Sequence, residues 1–296
     1  MLKKSLIHGA LLALVGWVWL LAGVAAAGPP GQGQQDFSGN PPRRIISLAP
    51  NLTEILYFLE LGDRVVGVTS FCNYPPEAKS KPRIGTYWEF NLEAILALKP
   101  DMAMVMQDQG EGERPLTILR HWGIPVFVGR AETLDELFRL IEEVARLTGQ
   151  DAVAARKLPA LKARVRDVEA RIKGRPTPRV FLEIDQEPMI TVGGRGIHHD
   201  LIRRAGGINI AQNINQRYPI FSLEDVIQAR PEVILFTGML GEDSLNARLH
   251  LWQQWPWLPA VQNHRLHWVH PDLIDRPSPR LVDGLETLAR LFHPGL

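Results

Sequence analysis

The chain has 296 residues, 45% of them hydrophobic, and its 33 basic and 32 acidic side chains give a formal net charge of +1. That balance excludes the cationic field that gathers nucleic acid or anionic lipid, and the single cysteine, Cys72, excludes an internal disulfide. Stability therefore rests on burial, and the length suffices for one large or two smaller cores.

The first element in chain order reads as an export signal. Lys3 and Lys4 precede an uncharged apolar run from Leu11 to Ala25, and Ala25-Ala26-Ala27 then lead into Gly28-Pro29-Pro30. A basic start, an apolar middle and a small-residue end make residues 1–27 a secretory signal peptide. The alternative is an uncleaved anchor helix, for which the run is slightly short. Both place the rest of the chain outside the cytoplasm, in the periplasm, and no cysteine lies near the cleavage site to carry a lipid. Loss of the signal removes two lysines and no acid, leaving 31 basic against 32 acidic residues. Residues 28–42, rich in Gly, Pro and Gln, read as a flexible spacer.

Residues 43–148 alternate strand-like and helix-like segments. Ile45–Leu48 reads as a strand, a helix starts near Asn51, and Arg64–Val68 and Met102–Met106 are strands on either side of a short helix opened by Asn91. A helix near Thr117–Trp122 and the strand Pro125–Val128 follow. Residues 149–175 form a linking helix, with Val153, Leu158, Leu161, Val165, Val168 and Ile172 in one apolar stripe. At roughly 1.5 Å per residue it spans about 35 Å, enough to cross the back of two lobes, and Pro159 is expected to kink or interrupt it. A single stiff strut predicts a modest hinge motion. Residues 176–296 repeat the alternation: strand Arg179–Glu183, a helix near His199–Ala205, the Ala205-Gly206-Gly207 turn, a helix opened by Ser222, strand Val233–Thr237, the segment Trp252–Val261 and strand Arg265–Val269. Alternating strands and helices imply a mostly parallel sheet in each half.

The chain also contains an internal echo. Asn91-Leu92-Glu93-Ala94-Ile95-Leu96-Ala97-Leu98-Lys99-Pro100-Asp101 returns 131 positions later as Ser222-Leu223-Glu224-Asp225-Val226-Ile227-Gln228-Ala229-Arg230-Pro231-Glu232. Both copies open with a helix-capping residue, place an acid in the first turn and close in basic-Pro-acidic before an apolar run. The fold expected is therefore α/β: two pseudo-equivalent Rossmann-like lobes joined by one long helix, with a ligand cleft between them.

Several tracts in this order resemble a known family. Arg44 through Glu54, Val66-Gly67-Val68-Thr69, Asn73-Tyr74-Pro75-Pro76, Asn91-Leu92-Glu93 through Asp101, Ala205-Gly206-Gly207-Ile208-Asn209 and Arg276-Pro277-Ser278-Pro279-Arg280 are similar to the helical-backbone binding proteins of ATP-driven importers for cobalamin, ferric siderophores and haem. The cobalamin branch is the nearest likeness, through Ser70–Pro76 and the placement of Asp272 and Arg276. What the resemblance implies is a monomeric, non-enzymatic carrier, without cofactor, that captures a corrinoid and docks on an importer permease with its ATPase. Phe71, Tyr87 or Trp88, and Tyr218 stand where that branch has aromatics around the corrin, with Asp272 and Arg276 beside the ligand. Leu273 departs from the pattern by replacing an aromatic. Glu93 and Glu224 stand where the family meets permease arginines, one per lobe.

Each candidate has a plainer reading. Glu93 and Glu224 serve equally as helix N-terminal acids stabilised by the dipole; exposed ion pairs contribute only about 0.2–1 kcal/mol, so a docking role would concern orientation and on-rate. Phe71, Tyr87, Trp88 and Tyr218 can be loop packing, yet two or three such rings would supply roughly 7–19 kcal/mol on burial before binding costs. Trp252, Trp255 and Trp257 read as core capping, Cys72 as a small buried thiol, and Gly193-Gly194-Arg195-Gly196 as a turn close to the cleft. His264, His267 and His270 recur every third residue, but on a strand His267 and His270 diverge, which weakens a zinc or manganese site. His199 reads as a helix-start residue before a corrinoid or haem ligand. An exported α/β hydrolase lacks any Gly-x-Ser-x-Gly or His-Glu-x-x-His motif.

Overall fold

The computed structural model describes residues 40–86, 89–107, 114–238 and 242–296; the signal segment and most of the spacer lie outside the described residues. In chain order the elements are β1 (Ile45–Ser47), α1 (Pro50–Phe58), β2 (Val65–Val68), α2 (Leu92–Ala97), β3 (Met102–Met106), α3 (Arg114–His121), β4 (Val126–Gly129), α4 (Leu134–Thr148), α5 (Asp151–Ile172), β5 (Arg179–Gln186), β6 (Met189–Thr191), α6 (Ile197–Arg204), β7 (Ile208–Asn209), α7 (Leu223–Ala229), β8 (Val233–Phe236), α8 (Glu242–Gln253), α9 (Pro259–Gln262), β9 (Leu266–Trp268), α10 (Pro271–Ile274) and α11 (Leu281–Phe292).

Two sheets result, one per lobe. The first has the order β2-β1-β3-β4, all parallel. In the second, β7, β5, β8 and β9 repeat that order, again in parallel, and the antiparallel β6 shares β5's outer edge with β7. The pseudo-equivalence expected from the echo thus extends to whole sheets. β3 and β8 are apolar runs because helices cover both faces of a parallel sheet; all four residues of β8 are buried.

The linking helix α5 packs against α4 of the first lobe and α11 of the second. Leu158, Leu161, Val165 and Val168 are the buried stripe, each contributing roughly 1.5–3 kcal/mol. Pro159 does not interrupt the helix, which runs 22 residues through it. Its position explains this: Pro159 and Ala155 lie on the solvent face, so the Ala155 carbonyl that loses its N–H partner is open to solvent rather than stranded in the core, while the buried stripe holds the helix together.

Helices α4 and α11 go beyond the elements read from the sequence. The local signal for α4 is nonetheless present: Thr133 accepts the Glu136 N–H at 3.1 Å, the Glu136 carboxylate accepts the Glu132 N–H at 2.7 Å, and Gly149 closes the helix at φ +71°. The segment Trp252–Val261 is split, α8 ending at Gln253 and α9 starting at Pro259. Trp252 is fully buried, Trp255 packs on it with ring centres 6.1 Å apart, and Trp257 lies at the surface beneath Arg230.

Candidate ligand cleft and docking surface

The echo has a geometric meaning at each lobe. Asn91 caps α2 by accepting the Ala94 N–H, and Ser222 caps α7 by accepting the Asp225 N–H, both at 3.0 Å. The basic residues that close the copies, Lys99 and Arg230, both take left-handed backbone, at φ +47° and +49°. The acids after the prolines reach to the neighbouring strand: Asp101 accepts the Arg43 and Arg44 N–H groups at 2.7 and 2.9 Å, and Glu232 accepts the Arg179 N–H at 3.0 Å. Arg44 and Arg179 in turn donate to the carbonyls at the ends of the two helices. Glu93 and Glu224, by contrast, are exposed, and among the described residues neither carboxylate has a hydrogen-bond or ion-pair partner.

Between the lobes, two tracts far apart in sequence meet. The loop after β2, Ser70–Pro76, faces the segment from α10 into α11. Arg276 Nη1 donates to Asn73 Oδ1 at 2.7 Å and Nη2 lies 3.1 Å from Asp272 Oδ1. Arg280 stacks over the Tyr74 ring, 4.1 Å from its centre, and reaches Asp272 Oδ2 at 3.4 Å. Glu54 of α1, 4% exposed, accepts from Arg280 Nε at 2.8 Å, Arg280 Nη2 at 2.5 Å and Ser278 Oγ at 2.6 Å. Asp272 and Arg276 are thus brought together at the lobe junction. Phe71 is half-buried in the same loop; Tyr87 and Trp88 lie outside the described residues.

Tyr218 is 47% exposed and meets His198 edge to face at 5.9 Å. Behind it, the buried His198 Nε2 lies 2.9 Å from Asp275 Oδ1, and Thr237 Oγ1 donates to the same carboxylate. The loop carrying Tyr218 is pressed onto the glycine turn: a Cβ on Gly193 or Gly194 would lie 2.1 Å from the Gln216 carbonyl or 2.0 Å from that of Gln212. Next to Tyr218, Arg217 crosses to Glu132 of the first lobe at 2.8 Å, and Arg130 joins at 3.0 Å. Burial alone would raise the Glu132 carboxyl, but these arginines hold it below the usual range. Burial pushes the His199 imidazole pKa down, and among the described residues its Nδ1 has no hydrogen-bond partner. His270 Nδ1 accepts the Asp272 N–H, and no group of three or more His, Cys, Asp or Glu side chains gathers for a metal among the described residues. Cys72 is buried, accepting from Thr53 Oγ1 at 3.1 Å.

One further charged site lies inside the second lobe. Glu183 of β5 is fully buried; it accepts the Trp252 Nε1–H at 2.7 Å, and Arg248 approaches at 3.4 Å. Burial pushes its carboxyl up to about 7 against the pull of those two groups.

The model of the family described as periplasmic binding protein matches residues 45–273. The chain belongs to that family. This binding protein is 32% identical over 247 residues to the vitamin B12-binding protein of Vibrio cholerae, covering 83% of this chain and 87% of that one. Among solved structures, the periplasmic vitamin B12-binding protein of Vibrio cholerae superposes with a TM-score of 0.75 at 31% identity, over 86% of this chain and 98% of that one. A periplasmic haem-binding protein from Roseiflexus superposes at 0.73 and 28% identity, over 86% and 98%. The two-lobe α/β fold and the resemblance read from the sequence are both borne out. No helix among the described residues of the binding protein is long and apolar enough to cross a membrane.

Sequence reasoning missed Glu54, Ser278 and Arg280 as junction residues, and His198 with Asp275 as the support of Tyr218. Glu54 and Arg280 stand inside tracts that carried the resemblance, but nothing local says that residues 226 positions apart share a hydrogen bond.

Proposed function

We propose that this protein captures a cobalamin-like corrinoid between its lobes, outside the cytoplasm, and delivers it to an importer permease driven by a separate ATPase. The observation that carries the reading is the junction of Ser70–Pro76 with Asp272–Arg280, flanked by Tyr218, in a chain 32% identical to a vitamin B12-binding protein. Large-ligand sites are mostly apolar with a few placed polar groups, and strand-end loops are where doubly wound sheets present them. Phe71, Tyr87, Trp88 and Tyr218 supply apolar area, while Asp272 and Arg276 supply orientation through the corrinoid's amide side chains. Binding of this kind needs no covalent step. Glu93 and Glu224 dock one lobe each on permease arginines, so that a loaded protein is oriented before release.

A second reading within the family, haem or a ferric siderophore, is favoured by the likeness to haem-binding proteins at 28% and 27% identity. Calorimetric titration with cyanocobalamin and dicyano-cobinamide, with haem and a ferric hydroxamate as competitors, separates the two. One-to-one corrinoid binding at micromolar or tighter supports the proposal. Silence with corrinoids and binding of haem or the iron chelate transfers the site to that ligand.

A further inference from the structure

We propose that Glu54, on the lobe opposite Asp272 and Arg276, is a positioning residue for the cleft: through Arg280 it fixes that pair and staples the two lobes together. The positioning half rests on the ligand-binding role given to Asp272 and Arg276 above.

Glu54 lies on α1 beyond its first turn, so the helix dipole does not account for it. Its neighbours in sequence, Leu52, Ile55 and Leu56, are core residues. A carboxylate buried there is expensive unless it is paired and fully hydrogen-bonded, and its partners named above, Arg280, Ser278 and, at 3.8 Å, Arg276, all come from the other lobe. The two-pronged bond to Arg280 is the geometry in which a guanidinium is directionally fixed. Arg280 then touches Asp272, whose second oxygen meets Arg276, whose other nitrogen returns to Asn73 on the first lobe. The chain of contacts therefore starts and ends on one lobe and passes through the other. Asp272 is shared between two guanidinium groups, and the balance depends on Glu54 occupying Arg280. Neutralising Glu54 leaves Arg280 with Asp272 as its remaining carboxylate, draws Asp272 from Arg276 and frees Arg276 to move.

The test is Glu54→Gln, which keeps shape and removes charge, read in two independent ways. In stopped-flow and calorimetric measurements with cyanocobalamin, the corrinoid dissociation constant should rise roughly ten- to a hundredfold, mainly through faster dissociation. In a cycle with Asp272→Asn, the double variant should lose little beyond Asp272→Asn alone; additive losses would mean that Glu54 acts only on general stability. The second readout needs no ligand. Nitroxide labels at Ala97→Cys and Gln228→Cys, equivalent exposed positions on the two lobes, report the inter-lobe distance by pulsed electron paramagnetic resonance, and Cys72 is buried from the label. Glu54→Gln should broaden and lengthen a distribution that is narrow in the labelled parent. If the Gln variant does not fold, Arg280→Lys, which keeps the charge and loses the fork, should give the same changes at smaller size. A folded variant with unchanged dissociation and an unchanged distance distribution overturns the inference. Failure of the parent to bind any corrinoid counts instead against the proposed function and the positioning half, and the distance measurement still decides the staple.

Discussion

Replacing Glu183 by Gln should change how stability depends on pH more than it changes stability at any one pH. The carboxyl is fully buried, and its pKa stands at about 7 against the usual 4.5. The folded protein therefore holds a proton that the unfolded chain releases earlier. The stability so provided is complete below pH 4.5 and is lost as the pH rises to 7, because between those values the native state binds more protons. At about 1.4 kcal/mol for each pH unit, the loss is roughly 3 kcal/mol in total, with about 2.5 kcal/mol of it falling between pH 5 and 8. The amide of the substituted side chain would still accept the Trp252 indole N–H and has no proton to lose. Urea unfolding of parent and Glu183→Gln at a series of pH values, followed by tryptophan fluorescence, isolates this effect, since all other titrating groups are common to both. The variant should gain about 2–3 kcal/mol on the parent from pH 5 to pH 8. Parallel curves would refute the argument and mean that Arg248, 3.4 Å away, already keeps the carboxylate ionised in the folded state.

Other substitutions test other links. Reversing Glu93 and Glu224 to lysine together should leave corrinoid titrations unchanged and abolish uptake in cells or reconstituted vesicles; loss of binding in the soluble protein would count against docking. Pro159→Ala should raise stability by about 2 kcal/mol, seen as a higher Tm, because it restores an N–H that donates to the Ala155 carbonyl on an exposed helix face where proline has no packing role. Gly194→Ala should destabilise by about 2–4 kcal/mol and weaken ligand binding together, because the new Cβ meets the Gln212 carbonyl in the loop that presents Tyr218; a variant with unchanged Tm and affinity would show that the loop adapts freely.

The parts of the fold that were legible are those written in local pattern. The echo gave the two lobes because caps, first-turn acids and apolar runs are short-range signals, and the structure extends it to matching strand orders. The stripe of α5 was legible for the same reason, while Pro159 misled because propensity sees a missing amide and not which face it lies on. The site divides along the same line. Asp272 and Arg276 were legible through the resemblance, but their partners were not: Glu54 reads as one acid in an amphipathic helix, and its pairing with Arg280 closes over 226 positions. Glu183 was equally hidden, since Phe181-Leu182-Glu183-Ile184-Asp185 reads as an ordinary strand end, and only packing by Trp252 and Arg248 turns that acid inward.

Repetition between the lobes is not by itself a mark of function, and the echo shows why. Asp101 and Glu232 recur as faithfully as Glu93 and Glu224, yet the first pair is consumed by the fold, accepting hydrogen bonds from backbone N–H groups where the neighbouring strand begins. The second pair is repeated, exposed and unpartnered among the described residues. A dipole role alone would make each worth about 0.3–1 kcal/mol of stability and nothing to transport. A docking role makes the two acids matter together, because a permease spanning both lobes must meet one on each side. The single and double lysine variants distinguish these: with docking, either reversal alone impairs uptake and the pair abolishes it at unchanged ligand affinity; with the dipole alone, Tm falls slightly for each and uptake stays as it was.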